Sequence, residues 1–227
     1  MLQEGYMFNR RKAAMLVAEF LGTGVLTMIV LSVSKSTIGI PYFVSLAAGL
    51  AIGAMTLVFG AISGAHFNPA ITLGLWTVRK VSSSKAVVYI IAQLLGATAA
   101  YWLYTYFVNA HWANADSHFV GRVMVAEAAG AFVFSMAWAS AVYGKFGNAK
   151  TAATVTVGLI LGILVASSAS GGLLNPAVAL GVRSWVWGTY VLGPVLGAVI
   201  GFNLYNLLFV SADGAMLGAP ATSKKKK

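Results

Sequence analysis

The chain has no cysteine, three histidines and only five acidic residues among its 227. Without a thiol there is no disulfide, no thiolate metal centre and no cysteine nucleophile. With so few acids and histidines, hydrolytic or redox chemistry lacks its usual side chains, and no bound metal is expected. Charge of either sign is scarce: 9% of the residues are Asp, Glu, Lys or Arg, against about 25% in an ordinary soluble domain. Segments 36–78, 86–115, 151–182 and 184–212 carry none of these residues. Uncharged apolar runs beyond about 18 residues are the mark of membrane-spanning helices.

What charge remains is basic, with a net value of +10. It sits in short clusters between apolar stretches, which is a pattern of membrane topology and not of nucleic-acid binding. Apolar blocks near 13–34, 41–62, 86–108, 122–143, 151–170 and 186–210 are each long enough to cross about 30 Å of hydrocarbon. Residues 13–34 follow Arg10, Arg11 and Lys12 without a small-x-small cleavage site, so they read as a retained span. Two further apolar pieces, 63–78 and 171–184, are interrupted at Asn68-Pro69 and Asn175-Pro176. Proline is tolerated in the first turn of a helix, so each Asn-Pro predicts a helix start. Those helices have about ten residues before Arg79 and Arg183, roughly half a membrane, and read as re-entrant half-helices.

With six crossings and two returning half-helices, twelve lysines and arginines (Arg10, Arg11, Lys12, Arg79, Lys80, Lys85, Lys145, Lys150 and Lys224 to Lys227) fall on one side. Lys35, Arg122 and Arg183 fall on the other. This bias predicts that both termini are cytoplasmic. The four terminal lysines read as a solvated tail that touches anionic membrane lipid.

Residues Ser63 to Gly74 match Ser170 to Gly181 at an offset of 107, and Glu19 matches Glu127 at 108. The chain is therefore read as a single membrane domain of two copies, repeat one over about 13–108 and repeat two over about 121–210, with tails at 1–12 and 211–227. Each copy has an odd number of crossings, so the second is inverted relative to the first. Inversion brings both half-helix N-termini to the midplane with Asn68 and Asn175 facing. Each N-terminus carries about half a positive charge and unsatisfied N–H donors. Cations are repelled there, whereas a neutral oxygen can accept hydrogen bonds. The non-helical approaches, 63–67 and 170–174, need a water-lined path to satisfy their backbone groups.

These residues resemble the aquaporin, or major intrinsic protein, family. The resemblance rests on the paired Asn-Pro-Ala boxes (Asn68, Pro69, Ala70; Asn175, Pro176, Ala177), the Ser-Gly-x-His-x-Asn-Pro-Ala-x-Thr-Leu-Gly block at 63–74 and the two glutamates. Ala92-Gln93-Leu94-Leu95-Gly96-Ala97 and Gly193-Pro194-x-x-Gly197-Ala198 extend it over about 13–210. It implies an all-α membrane fold of six transmembrane helices plus two half-helices, and a homotetramer in which each subunit has its own pore, with no cofactor. By position it implies central donors at Asn68 and Asn175 and a pore-lining histidine at His66. Gly64, Ala65, Gly171 and Leu173 would line the pore beside them, and Glu19 and Glu127 would be buried supports of the two loops.

The sequence departs from the family where substrates are usually chosen. Val178 stands where an arginine follows the second box in the family. The other filter positions fall on Ala48, Gly172 and either Val165 or Ile163, because the second loop is about two residues short. All are small or apolar, which predicts a widened, weakly polar outer filter and weaker exclusion of cations. Arg183 lies five residues beyond Val178, about 140° around a helix and some 7.5 Å along it, and is expected near the outer surface. Ala179, which replaces an Asp of glycerol-conducting relatives, and the short loops point instead to the water-conducting branch.

Trp102, Trp112, Trp185, Trp187, Tyr42, Tyr101, Tyr104 and Tyr106 are expected in an outer aromatic belt. His111, Asp116 and His118 are spaced too loosely for a metal site. The reading is a passive channel for water, with access for small neutral solutes such as glycerol, urea or ammonia, in a bacterial inner membrane. Two alternatives are a non-conducting or gated structural protein of the same fold, and a secondary transporter built on inverted repeats.

Overall fold

The computed structural model describes residues 10–111 and 118–217. The regular structure of the described residues is helical, with no β-strand beyond one isolated bridge between Val210 and Met216. In order the helices are α1 (Arg10–Ser34), α2 (Pro41–Ser63), α3 (Pro69–Thr77), α4 (Ser83–Val108), α5 (Gly121–Tyr143), α6 (Asn148–Ala166), α7 (Pro176–Gly181) and α8 (Gly193–Phe209). A π-helical turn, Trp187–Leu192, runs directly into α8 and completes a membrane-length element. Pro194 has no N–H and its ring crowds the preceding turn; the wider π turn ahead of it absorbs that mismatch.

Among the described residues six elements are long and apolar enough to cross a bilayer, and the protein is an integral membrane protein. α3 and α7 are the two short ones. The fifth span begins at Asn148 and ends at Ala166, short of the 151–170 expected, because Ser167 to Ser170 leave the helix to feed the loop before α7. α7 has six residues against nine in α3.

Helix α1 packs on α4 and α5 on α8, in matching fashion. At both crossings the backbones meet through glycine. A Cβ on Gly96 would lie 2.1 Å from the Phe20 carbonyl oxygen, and one on Gly197 would lie 2.0 Å from that of Ala128. Small residues allow this approach in a bilayer, where association rests on packing rather than on the hydrophobic effect. The outward faces remain apolar: Val157, Leu161 and Val165, spaced four apart on α6, are exposed, as are Val87, Ile91 and Leu95 on α4.

Of the aromatic residues expected in an outer belt, Tyr42, Trp102, Tyr106 and Trp187 are exposed, whereas Tyr101 and Tyr104 are buried between helices. Trp112 and Asp116 lie outside the described residues, and so do the terminal lysines. His111 rests edge-on against Trp102, with ring centroids 6.3 Å apart.

Candidate functional site

The site is built from the two loops that lead into α3 and α7. Neither loop can form regular hydrogen bonds, and each turns through left-handed backbone at Gly64, Ala65 and Phe67 in the first and at Gly172 and Leu174 in the second. What holds them is a buried carboxylate apiece. Glu19 Oε1 accepts from the Ser63 hydroxyl at 2.6 Å and the His66 N–H at 3.0 Å, and Oε2 accepts from the Phe67 N–H and the Gln93 side-chain amide, both at 2.8 Å. Glu127 repeats the pattern: its Oε1 accepts from the Ser170 hydroxyl and from the Leu173 N–H at 2.9 Å, and its Oε2 from the Leu174 N–H at 2.6 Å. Both glutamates are fully buried. A buried charge is tolerated only when its lone pairs are satisfied.

The loops then lock together. The Asn68 amide donates to the Leu174 carbonyl at 2.9 Å, and the Asn175 amide donates to the Phe67 carbonyl at 2.8 Å. Each Asn side-chain oxygen caps its own half-helix, that of Asn68 on the Ala70 N–H at 2.8 Å and that of Asn175 on the Ala177 N–H at 3.0 Å. Pro69 and Pro176 open the two helices, where a missing N–H costs nothing; with Ala70 and Ala177 they are buried. An amide has two N–H groups. With one spent on the opposite loop, each Asn has one left to offer a passing molecule.

Asn68 and Asn175 are the polar side chains in the lining of a cavity otherwise made of Leu26, Val30, Val44, Ala48, Ile52, Phe134, Leu159, Ile163, Gly172, Leu173 and Val178. Of the alternatives left open by the sequence, Ile163 lines this cavity and is 3% exposed, whereas Val165 is 44% exposed on the outer face. The helical period decides between them. Val155, Leu159 and Ile163 form the inward stripe of α6, and Val157, Leu161 and Val165 form the outward one.

About 20 Å³ of this cavity is open to the centre of a water-sized sphere, little more than one water needs. At Gly172 a neighbouring aliphatic side chain crowds the cavity. A Cβ on Gly172 would already lie 2.9 Å from Ile163 Cγ2. Arg183 does not supply the missing filter charge: its guanidinium lies over the Tyr101 ring at 5.2 Å, on α4.

A second cavity of about 370 Å³ opens at the opposite end of the loops, lined by Thr56, Gly60, Gly64, Ala141, Val142, Lys145 and Asn148 among others. Gly64 and Gly171 are exposed at the starts of their loops, while Ala65 is fully buried and lines neither cavity. His66 is also buried; its Nδ1 lies 3.2 Å from the Thr72 hydroxyl, and its ring meets Tyr89 and Trp138 edge-on. Trp138 was not singled out by sequence reasoning. A tryptophan inside an apolar span looks like core, and only its register on α5 relative to both cavities distinguishes it.

The glycerol uptake facilitator protein-like 6 of Lactiplantibacillus plantarum is 35% identical to this chain over 200 residues, covering 81% of this chain and 93% of that one. The aquaporin AqpM of Methanothermobacter thermautotrophicus is 34% identical over 191 residues, covering 73% and 76% of the two chains. In fold, the chain is similar to the aquaglyceroporin of Plasmodium falciparum, with a TM-score of 0.70 at 24% identity over 86% of this chain and 96% of that one. The major intrinsic protein profile matches residues 8–205. With two carboxylate-held loops clasped through paired asparagines beneath an aliphatic cavity, and with these relatives, the chain belongs to the major intrinsic protein family.

Proposed function

We propose that the protein is a passive channel whose main permeant is water, passed in single file between the two half-helix N-termini. One observation carries this reading. The free amide N–H groups of Asn68 and Asn175 are the side-chain polar contacts of an aliphatic cavity with room for about one water. Two helix N-termini and two amide donors favour an oxygen lone pair and disfavour a cation. Glycerol and urea are wider than this space allows, while ammonia matches water in size. The names of the relatives span both glycerol facilitators and aquaporins, so they leave this choice to the geometry.

The roles assigned are central donors at Asn68 and Asn175, an outer filter of Ala48, Ile163, Gly172 and Val178, and loop support from Glu19 and Glu127. The charge bias favours cytoplasmic termini, and the compact loops suit a bacterial inner membrane. The apolar outward stripes suit lipid on some faces and copies of the chain on others, as in a homotetramer with one pore per subunit. A proton- or cation-coupled transporter is not favoured, because both buried carboxylates are committed to loop donors.

The test is reconstitution into liposomes, with stopped-flow light scattering of osmotic shrinkage and of glycerol uptake against empty vesicles. Fast water flux without glycerol uptake is expected. Rapid glycerol uptake by the unaltered protein would overturn the narrow-filter reading, and flux of neither solute would overturn the channel reading.

A further inference from the structure

Two cavities lie at opposite ends of the loops, and each of four elements contributes to both. On α2, Ile52 lines the first and Thr56 the second; on the first loop these positions are Asn68 and Gly64. On α5 they are Phe134 and the pair Ala141 and Val142, and on α6 they are Leu159 and Thr151. The residues between them in register are His66 on the loop, Trp138 on α5 and Val155 on α6. Trp138 is one helical turn from Phe134 and one turn from Ala141 and Val142; Val155 is one turn from Leu159 and one from Thr151. Residues one turn apart share a helix face. All three are buried, Trp138 at 3% exposure. The His66 and Trp138 rings meet edge to face with centroids 6.2 Å apart.

The polar atoms at this level are complementary. The Trp138 indole N–H is buried and has no hydrogen-bond partner among the described residues, which is costly unless a solute supplies one. On His66, Nδ1 faces a Thr72 hydroxyl that gives its own proton to the Asn68 carbonyl at 3.0 Å. The hydroxyl therefore accepts, Nδ1 carries the proton, and Nε2 of the neutral ring is left as an acceptor. That edge is turned toward Gly64, 3.4 Å from where a Cβ there would sit, and Gly64 lines the inner cavity.

We infer that Trp138 is a further solute-binding residue, which narrows the path on the α2 C-terminal side of the asparagine pair and offers its indole N–H opposite the imidazole acceptor of His66, whose place in the pore the family resemblance already implies. The pair takes a small neutral molecule that both gives and accepts a hydrogen bond, water above all. This rests on the channel reading and extends it. Selectivity is set in series by an aliphatic outer cavity and an aromatic inner step, so widening either alone leaves the other limiting.

The test uses purified full-length protein in liposomes with water and glycerol assays in parallel. Trp138→Phe keeps an aromatic ring against His66 but removes the N–H. Water permeability is expected to fall about three- to tenfold, the scale of one hydrogen bond, with the solute ranking unchanged and the melting temperature close to the parent. Trp138→His, which restores a ring N–H, should recover part of the loss. Ile163→Ala alone should still exclude glycerol, and the double variant Ile163→Ala, Trp138→Ala should admit it. Unchanged water flux in Trp138→Phe overturns the donor role. Full glycerol uptake by Ile163→Ala alone overturns the serial constriction. Both results presuppose that the parent protein conducts water; if it does not, the channel reading fails first and takes this inference with it.

Discussion

Replacing each buried glutamate by glutamine tests the loop architecture most directly, since the side chain keeps its shape and loses one acceptor oxygen. Glu127 serves three donors, two of them backbone N–H groups on different oxygens. Whichever way the new amide of Glu127→Gln turns, its NH2 faces a backbone N–H of Leu173 or Leu174. Charge-assisted bonds worth about 1.5–3 kcal/mol each weaken, and one buried donor is left unmade at about 1–3 kcal/mol. The expected net loss for Glu127→Gln is about 2–4 kcal/mol. Glu19 serves four donors, so Glu19→Gln should lose more. For a chain of this length that shifts the melting temperature by on the order of 10 °C, read by tryptophan fluorescence or circular dichroism in detergent. Water permeability should fall with it, because the Phe67 and Leu174 carbonyls that orient the asparagine amides sit on the loosened loops. If both variants melt and conduct as the parent does, the carboxylates do not organise the loops.

Other outcomes follow from the same geometry. Gly197→Ala drives a methyl into the Ala128 carbonyl and should destabilise by about 1–3 kcal/mol, read as a lower melting temperature; Gly171→Ala, with open space around its Cβ, is the control and should melt normally. The cysteine-free parent should be insensitive to mercurials, whereas Val178→Cys, in the cavity lining, should be blocked and rescued by a thiol, as measured by water flux. Val178→Arg places a cation above the asparagine pair and should reduce any proton leak measured with a pH dye; an unchanged leak would show that the helix N-termini already suffice.

The sequence carried the frame of this molecule because its chemistry is local. Asn caps and Pro opens both half-helices from their own positions in the chain, and a glutamate inside an uncharged span has to find donors. The filter was harder to read. Val165 and Ile163 are equally apolar, and only helix rotation tells the stripe facing the cavity from the one facing outward. The missing arginine and the small Ala48 and Gly172 predict width, yet width also depends on neighbours such as Ile163, which lies 2.9 Å from where a Cβ on Gly172 would sit, and that is a property of packing across helices. Arg183 could be placed near the half-helix end by counting, but its stacking on Tyr101 could not.

The reciprocal clasp between the loops imposes an order on biosynthesis. Asn68 needs the carbonyl of Leu174 and Phe67 needs the amide of Asn175, partners that the ribosome makes about a hundred residues later. During that interval the first loop is a polar stretch at the depth of the hydrocarbon whose Asn68 amide and Phe67 carbonyl lack these partners. The nascent first half must therefore be sheltered from lipid until the second arrives, and a pause or a truncation in that window should send the chain to degradation rather than to a half-built pore.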